Sequence, residues 1–345
     1  MLLFHNDYNE VCHPLILEKM QDAAPLQMPG YSEDPICEEA AALIRKACGN
    51  QNVAVHFLVG GTQSNLTVIA ASLRPHQAVM GAVSAHINVH ETGAIEATGH
   101  KVIQIPSEDG KITVDQVKTI VLGQRLATDA EHIAQPKMVY ISNPTEFGTT
   151  YKLEELETLS AYCKENKLIL FVDGARLGYG LAARDNDVTL QDYARLCDVF
   201  YIGGTKVGAM FGEAVVISNP AIAEDFRYLM KQRGGMLAKG WLLGLQFKTL
   251  FEDDLYFKIS KHADSLADRI RDTLDLCGYP LFVDGTTNQI FVTLPNALLK
   301  TLDSNFTYAV WEKQDDDHTT VRFCTSWATK AENVDALCAA IKNFR

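Results

Sequence analysis

The stretch LILFVDGARLGYG, residues 168–180, and the stretch CDVFYIGGTKVGAMFG, residues 197–212, decide how this chain folds. Leu168–Val172 and Val199–Ile202 are short apolar runs rich in β-branched and aromatic residues, the pattern of strands buried on both faces. Each ends in groups that a core strand does not need. The first runs into Asp173, then Gly174, Ala175 and Arg176. The second runs through Gly203, Gly204 and Thr205 into Lys206, then Gly208. Ligands of open α/β sheets bind at the carboxyl ends of the strands. A carboxylate and an ammonium delivered there by separate strands are expected to share one pocket.

Outward from this pair the same pattern repeats. Val53–Val59 reads as a strand that enters GGTQSN, residues 60–65, and then the apolar-periodic run Leu66–Leu73. A strand, a glycine turn and a helix start present free backbone N–H groups and a positive helix end to an anion. No lysine follows the glycines and no G-x-G-x-x-G occurs, so the nucleotide fingerprints are absent. Ala78–Val83 is a strand ending at Ser84-Ala85-His86, and Ile87–Ala97 is expected to be a helix. His86 and His90 are four apart with Glu91 following, yet the H-E-x-x-H order is missing and no metal site is expected. Val102–Ile105 and Met138–Ser142 are further strands, and Leu153–Asn166 is a helix with apolar Leu153, Leu156, Leu159 and Tyr162. Asn143-Pro144-Thr145-Glu146 falls just past a strand end, on the ligand edge, and Glu213–Ile217 is one more strand. Regular β-then-α units predict an α/β fold, a mostly parallel central sheet with helices on both faces.

Length and composition bound the alternatives. The chain of 345 residues is long enough for more than one domain, and 47% hydrophobic with 21% charged residues is ordinary for a globular protein. Net charge of −12 argues against nucleic acid or an anionic membrane as partner. No apolar run reaches the length of a membrane span, and the first residues lack a signal-peptide pattern. The 8 cysteines are scattered without C-x-x-C, a reduced, cytoplasmic pattern. Residues 1–39 are punctuated by proline and are expected to lie near the active site. Residues 40–245 are expected to form the large α/β domain and 246–345 a small C-terminal α+β domain. In the latter, Leu281–Val283, Gln289–Leu294, Tyr308–Trp311 and Thr320–Cys324 read as strands and Asp315-Asp316-Asp317 as a hairpin cap. Arg322, a charge on a strand that otherwise reads as buried, calls for an acidic partner or a substrate carboxylate.

An amine, an acid and an anion-binding turn at one sheet edge are what pyridoxal phosphate requires. Its aldehyde needs a lysine, and its ring nitrogen needs an anion to stay protonated as an electron sink. Lys206 and Asp173 are the expected pair.

The order GGTQSN, SAHINVHE, NPTEFGT, FVDGARLG, YIGGTK, KQRGGMLAKG and VRFCTSW resembles the low-specificity L-threonine aldolases, pyridoxal-phosphate enzymes of the aspartate-aminotransferase fold (fold type I). The resemblance runs from FHNDYNEVCHP to the last helix. It implies Lys206 as the Schiff-base lysine, Asp173 as partner of the ring nitrogen and Arg176 beside the ring and the substrate. Gly61, Thr62 and Thr205 would hold the phosphate and His86 would stack on the ring. Arg322 would hold the substrate carboxylate, with Asn6 and Tyr31 also reaching the substrate. Lys239 (or Arg233) would reach the phosphate of a neighbouring subunit, since such enzymes are homodimers or homotetramers with sites at the interface. Catalysis is expected from Lys206, His86 and Asp173, cleaving threonine or allo-threonine to glycine and acetaldehyde. Two departures stand out: Asn6-Asp7 replaces a common Ser-Asp, and NPTEFGT lacks a histidine that many members carry there. The same scaffold also supports β-elimination, and a non-catalytic cofactor store is the alternative from outside enzymology.

Overall fold

The computed structural model describes residues 1–344. The chain opens on a two-residue strand, β1 (Leu2–Leu3). Seven strands then build the central sheet: β2 (Ala54–Leu58), β3 (Gln77–Ala82), β4 (Lys101–Ile105), β5 (Gln135–Ser142), β6 (Ile169–Asp173), β7 (Val199–Gly203) and β8 (Glu213–Ile217). Their spatial order is β2-β8-β7-β6-β5-β3-β4. All neighbours pair in parallel except β8, which runs antiparallel to both β2 and β7. Six strands therefore end at one edge, and β8 begins there. Every residue of β3, β7 and β8 is buried, as the continuous apolar runs require of a sheet covered on both faces.

The helices that cover the sheet start on conventional caps. Asp34 Oδ1 accepts the Cys37 N–H at 2.8 Å ahead of Pro35–Ala47, with Pro35 in the first turn. Thr113 and Gln116 form a capping box at Val114–Leu126. Gly61–Ser72 differs: no side chain caps it, so its first N–H groups are free for something else.

The C-terminal unit holds β9 (Gln289–Pro295), β10 (Phe306–Thr307), β11 (Ala309–Lys313) and β12 (His318–Cys324). β11, β12 and β9 form an antiparallel sheet in that order, while β1 pairs in parallel with β10. The apolar core divides accordingly. One cluster extends from Cys12 to Ala263, and a second gathers Phe4 with residues from Leu266 to Ile341. The division falls inside the helix Leu255–Leu276, downstream of the boundary expected at residue 246.

Two expected elements are shorter than the pattern suggested. The helix expected over 87–97 is one turn, His86–Val89, followed by Thr92 and Gly93 at φ 52° and 73°. There the Glu91 carboxylate turns inward to Asn65 and His86, which a continuous helix would not allow. Leu281–Val283 makes only an isolated bridge, Leu281 to Val292, between Pro280 and Gly285.

Close backbone packing at the sheet edge makes two glycines obligatory. A Cβ on Gly174 would sit 1.9 Å from the Tyr201 carbonyl oxygen, and one on Gly203 would sit 2.2 Å from that of Ala175. Gly174→Ala is expected to destabilise by about 3 kcal/mol or more. Gly123→Ala, in an exposed helical position where a Cβ meets nothing within 4 Å, should stabilise by about 0.5–1 kcal/mol. Melting temperatures of the two variants, moving in opposite directions, check this.

Candidate active site

At the carboxyl edge of β2, β6 and β7 lies a cavity of about 620 Å³, closed on its far side by Arg322 and Trp311 of the C-terminal unit. Lys206 reaches it from the loop after β7. The side chain is half-buried, and its Nζ has no hydrogen-bond or ion-pair partner among the described residues. Burial, and then the Arg176 guanidinium nearby, push its pKa below that of an ordinary lysine. The amine is thereby moved toward its nucleophilic, neutral form.

Asp173, the last residue of β6, is 4% exposed. Its Oδ2 accepts from the Tyr140 hydroxyl and from Asn65 Nδ2 at 3.1 Å, and its Oδ1 accepts from the Ala175 N–H at 3.0 Å. Burial alone would raise its pKa, but His86 and these donors outweigh burial and hold it below the usual carboxylate range. The site therefore keeps a fixed anion on its floor.

His86 begins the short helix after β3 and lies on the cavity wall. Its Nδ1 is 2.8 Å from Glu91 Oε1, which also accepts from Asn65 Nδ2 at 2.7 Å. Asn65 thus links the acid behind His86 to Asp173. The His86 N–H donates to Glu146 Oε1 at 3.0 Å, and the Ser142 hydroxyl donates to the same oxygen at 2.6 Å. Burial pushes the Glu146 carboxyl above its usual pKa.

Gly60, Gly61 and Thr62 line the cavity at the uncapped start of Gly61–Ser72. A Cβ on Gly60 would meet nothing within 4 Å, so the backbone there opens toward the ligand space. Free N–H groups and the positive helix end make this turn an anion receptor.

The two arginines behave differently. Arg176 is clamped by Asp7, with Nε to Oδ2 at 2.7 Å and Nη2 to Oδ1 at 3.0 Å. Asn288 Nδ2 donates to Asp7 at 2.9 Å. Burial would raise the Asp7 pKa, yet Arg176 and Lys206 bring it down to about 2. Arg322 has no carboxylate within ion-pair distance among the described residues. Its Nη1 donates to Gln289 Oε1 at 3.1 Å and its Nη2 to the His5 carbonyl at 3.0 Å, while buried Nε has no partner. Of the two partners expected from the sequence, the internal acid is absent, which leaves a guanidinium ready for a ligand carboxylate.

The fold thus gathers Lys206, Asp173, His86, Arg176, Thr205, Gly61, Thr62 and Arg322 around one space. Asn6, Tyr31 and Lys239 lie outside it. Asn6 accepts the Tyr8 N–H at 3.1 Å, and the neighbouring Asp7 is the residue that enters the site. Tyr31 is 45% exposed, at φ 63°, with Lys231 Nζ 4.6 Å above its ring. Its N–H donates to the carbonyl of Ala238, next to exposed Lys239. Asp7, Asn65, Glu91, Tyr140 and Glu213 complete the site; the sequence offers Asp7 as a candidate pocket contact and Glu91 as a candidate holder of a water, and does not single out Asn65, Tyr140 or Glu213. For Asn65 a signal existed, since it stands four residues after Gly61 on one helix face. The arrangement fits pyridoxal phosphate: an unpartnered amine lining the cavity, a permanent anion to face a protonated ring nitrogen, and an uncapped helix start for a phosphate.

The profile of the beta-eliminating lyase family matches residues 13–297. The low specificity L-threonine aldolase of Pseudomonas aeruginosa is 28% identical over 343 residues, covering 98% of this chain and 96% of that protein. Among solved structures, the threonine aldolase of Leishmania major is 44% identical with a TM-score of 0.97, covering 99% of each chain. An aspartate aminotransferase of Thermus thermophilus is 15% identical with a TM-score of 0.72, covering 99% of this chain and 90% of that one, a likeness of fold alone. With the profile spanning most of its length and a relative this similar end to end, the chain belongs to the beta-eliminating lyase family, alongside the threonine aldolases.

Proposed function

We infer that the chain is a pyridoxal-phosphate-dependent lyase that cleaves L-threonine, L-allo-threonine and related β-hydroxy-α-amino acids to glycine and an aldehyde. The observation that carries this reading is the guanidinium of Arg322, without an acidic partner among the described residues, lining one cavity with the unpartnered amine of Lys206 and the anion of Asp173. Lys206 would hold the cofactor's aldehyde carbon, Asp173 its ring nitrogen, His86 its ring face, and the Gly61 and Thr62 N–H groups its phosphate. When bound, the cofactor supplies a sink for the electron pair released as the Cα–Cβ bond breaks.

The chain's own residues do the rest. Arg322 binds the amino-acid carboxylate, and its bonds to His5 and Gln289 fix the plane of the guanidinium. That orientation selects which bond at Cα is broken. Arg176 adds positive charge beside it, held in place by Asp7. His86 donates Nδ1–H to Glu91, so Nε2 carries the lone pair and takes the β-hydroxyl proton, a bridging water spanning the gap where one is needed. Glu146, held on the opposite side by Ser142 and the His86 N–H, keeps the histidine backbone in position.

The exposed patch of Tyr31, Lys231 and Lys239 supports a homo-oligomer, dimer or tetramer, in which Lys239 serves the phosphate of a second copy's site. No helix of the described residues is long and apolar enough to cross a membrane. Eight free cysteines, seven of them buried, suit a reducing, cytoplasmic setting.

Purified protein supplied with pyridoxal phosphate and L-threonine should yield glycine and acetaldehyde in equal amounts. Ammonia and 2-oxobutanoate would mean β-elimination instead. Arg322→Ala should raise KM for threonine roughly 10- to 100-fold, the worth of a charge-assisted pair, with cofactor affinity unchanged. An unaltered KM removes Arg322 from the carboxylate. Lys206→Ala and Lys239→Ala chains, each inactive alone, should regain activity when unfolded and refolded together, because one mixed site is intact. No recovery would place Lys239 outside the partner's site.

A further inference from the structure

Glu213 is the first residue of β8, paired with Leu58 of β2 and Gly203 of β7. Because β8 runs against its neighbours, its first side chain arrives where theirs leave. That puts a carboxyl group, 3% exposed, in the cavity wall between the Gly60–Gly61–Thr62 turn and Lys206. Its Oε2 accepts from the Gly204 N–H at 3.2 Å and its Oε1 from the Thr205 hydroxyl at 3.0 Å. Thr205 Oγ1 in turn accepts from the Gly212 N–H at 3.0 Å. A negative charge here would face a phosphate ester that itself carries about −1.5 to −2 at neutral pH. It would also consume the one hydrogen that Thr205 could offer to that phosphate.

Counting hydrogens resolves the conflict. When Glu213 is ionised, the Glu213–Thr205 pair owns a single O–H hydrogen, and the bond between them uses it. When Glu213 is neutral the pair owns two. One closes the bond between them, and the other is free to point into the cavity. Building on the assignment of the cofactor to this cavity, we propose that Glu213 stays neutral in the working protein and that its proton turns the Glu213–Thr205 pair from an acceptor into a donor for the cofactor's phosphate. Thr205 becomes a phosphate ligand only on that condition.

The surroundings favour the neutral form. Burial raises the Glu213 pKa to about 8; Thr205 and Lys206 oppose the rise and Asp173 adds to it. Titratable groups facing it from the packed elements are Lys206 after β7, Asp173 on β6, Tyr201 on β7 and Tyr256 on Leu255–Leu276. The sign follows directly. Below that pKa the acid is neutral and the phosphate is held; as pH rises through it, the charge appears and affinity falls.

The test measures dissociation constants of pyridoxal phosphate, and of pyridoxal without the phosphate, for the full-length chain and for Glu213→Gln from pH 7 to 9.5. The amide stays neutral and keeps donors throughout. The ratio of wild-type to Glu213→Gln dissociation constants for pyridoxal phosphate should climb with pH, approaching about tenfold per unit above the transition, the limit for one proton. The ratio for pyridoxal should stay flat. A flat ratio for both compounds overturns the proposal, as does an equal climb for both, which would trace the effect to Lys206. Should Glu213→Gln not fold, proton uptake by the wild-type chain on binding each compound at pH 8.5 gives the answer calorimetrically. A larger uptake with pyridoxal phosphate than with pyridoxal supports the proposal, and equal uptake overturns it. A wild-type chain that binds neither compound at any pH overturns the cofactor assignment itself, a result distinct from every other outcome.

Discussion

An amine half withdrawn from water and left without a partner is the constraint from which the rest of the cavity follows. A buried ammonium is costly, so the cavity around Lys206 must either neutralise it or let it shed its proton. The structure does the second, because burial and the Arg176 charge both act against the protonated form. Arg176 could not stand there alone, and Asp7 pairs with it through two hydrogen bonds. The acids then need sorting. Were Asp7, Asp173, Glu91, Glu146 and Glu213 all ionised, a ligand bringing a phosphate and a carboxylate would meet a repulsive wall. Asp7 and Asp173 stay charged because cations and donors face them, whereas burial shifts Glu146 and Glu213 toward the neutral form. One cavity thus holds acids shifted in opposite directions, each by its own neighbours.

Sheet topology supplies these neighbours. Parallel strands deliver only their last residues to the ligand edge, which explains Asp173 on β6 and the loop after β7. The reversed β8 contributes its first residue to that edge, and so adds a group that a wholly parallel sheet would have placed at the other end. Gly174 and Gly203 make the neighbourhood possible. Without a Cβ on either, the loops after β6 and β7 close to direct backbone contact, with the Gly203 N–H donating to the Gly174 carbonyl at 2.9 Å. Asp173 and Lys206 then face one space from two adjacent strand ends.

What could be read from the chain in advance follows the same logic. Asp173, Lys206, Gly61, Thr62, His86 and Arg322 each interrupt a clear pattern: a charge, an imidazole or a glycine turn where an apolar run should simply end, or a charge inside one. Local periodicity exposes such residues. Glu213 escaped because it opens an apolar run, and a polar first residue is ordinary at a strand start. The contacts of Glu91 with His86 and Asn65 escaped because the helix expected around it is broken by Thr92 and Gly93, and only the break lets its side chain turn inward. Asp7 depends on contacts with Arg176 and Asn288 across the whole chain, which no local pattern encodes. Tyr31 and Lys239 lie together on an exposed face, and their part in the chemistry is a matter for a second copy.

The first residues carry more than their irregular sequence suggests. β1 joins β10, the Phe4 N–H donates to the Thr307 carbonyl, and the Phe4 carbonyl accepts from Cys324 just after Arg322. Within the next few residues the His5 carbonyl holds Arg322 and the Asp7 carboxylate holds Arg176. One guanidinium belongs to the C-terminal sheet and the other to the loop after β6, so this short segment ties the two apolar cores together at the ligand. Both arginines depend on this segment: Arg322 donates one of its two hydrogen bonds to the His5 carbonyl, and among the described residues Arg176 has only Asp7 as counter-ion. The geometry of the carboxylate receptor is therefore set by the docking of the N-terminal strand together with Gln289 of β9. Loosening β1 would take the His5 carbonyl from Arg322 and the Asp7 carboxylate from Arg176 together.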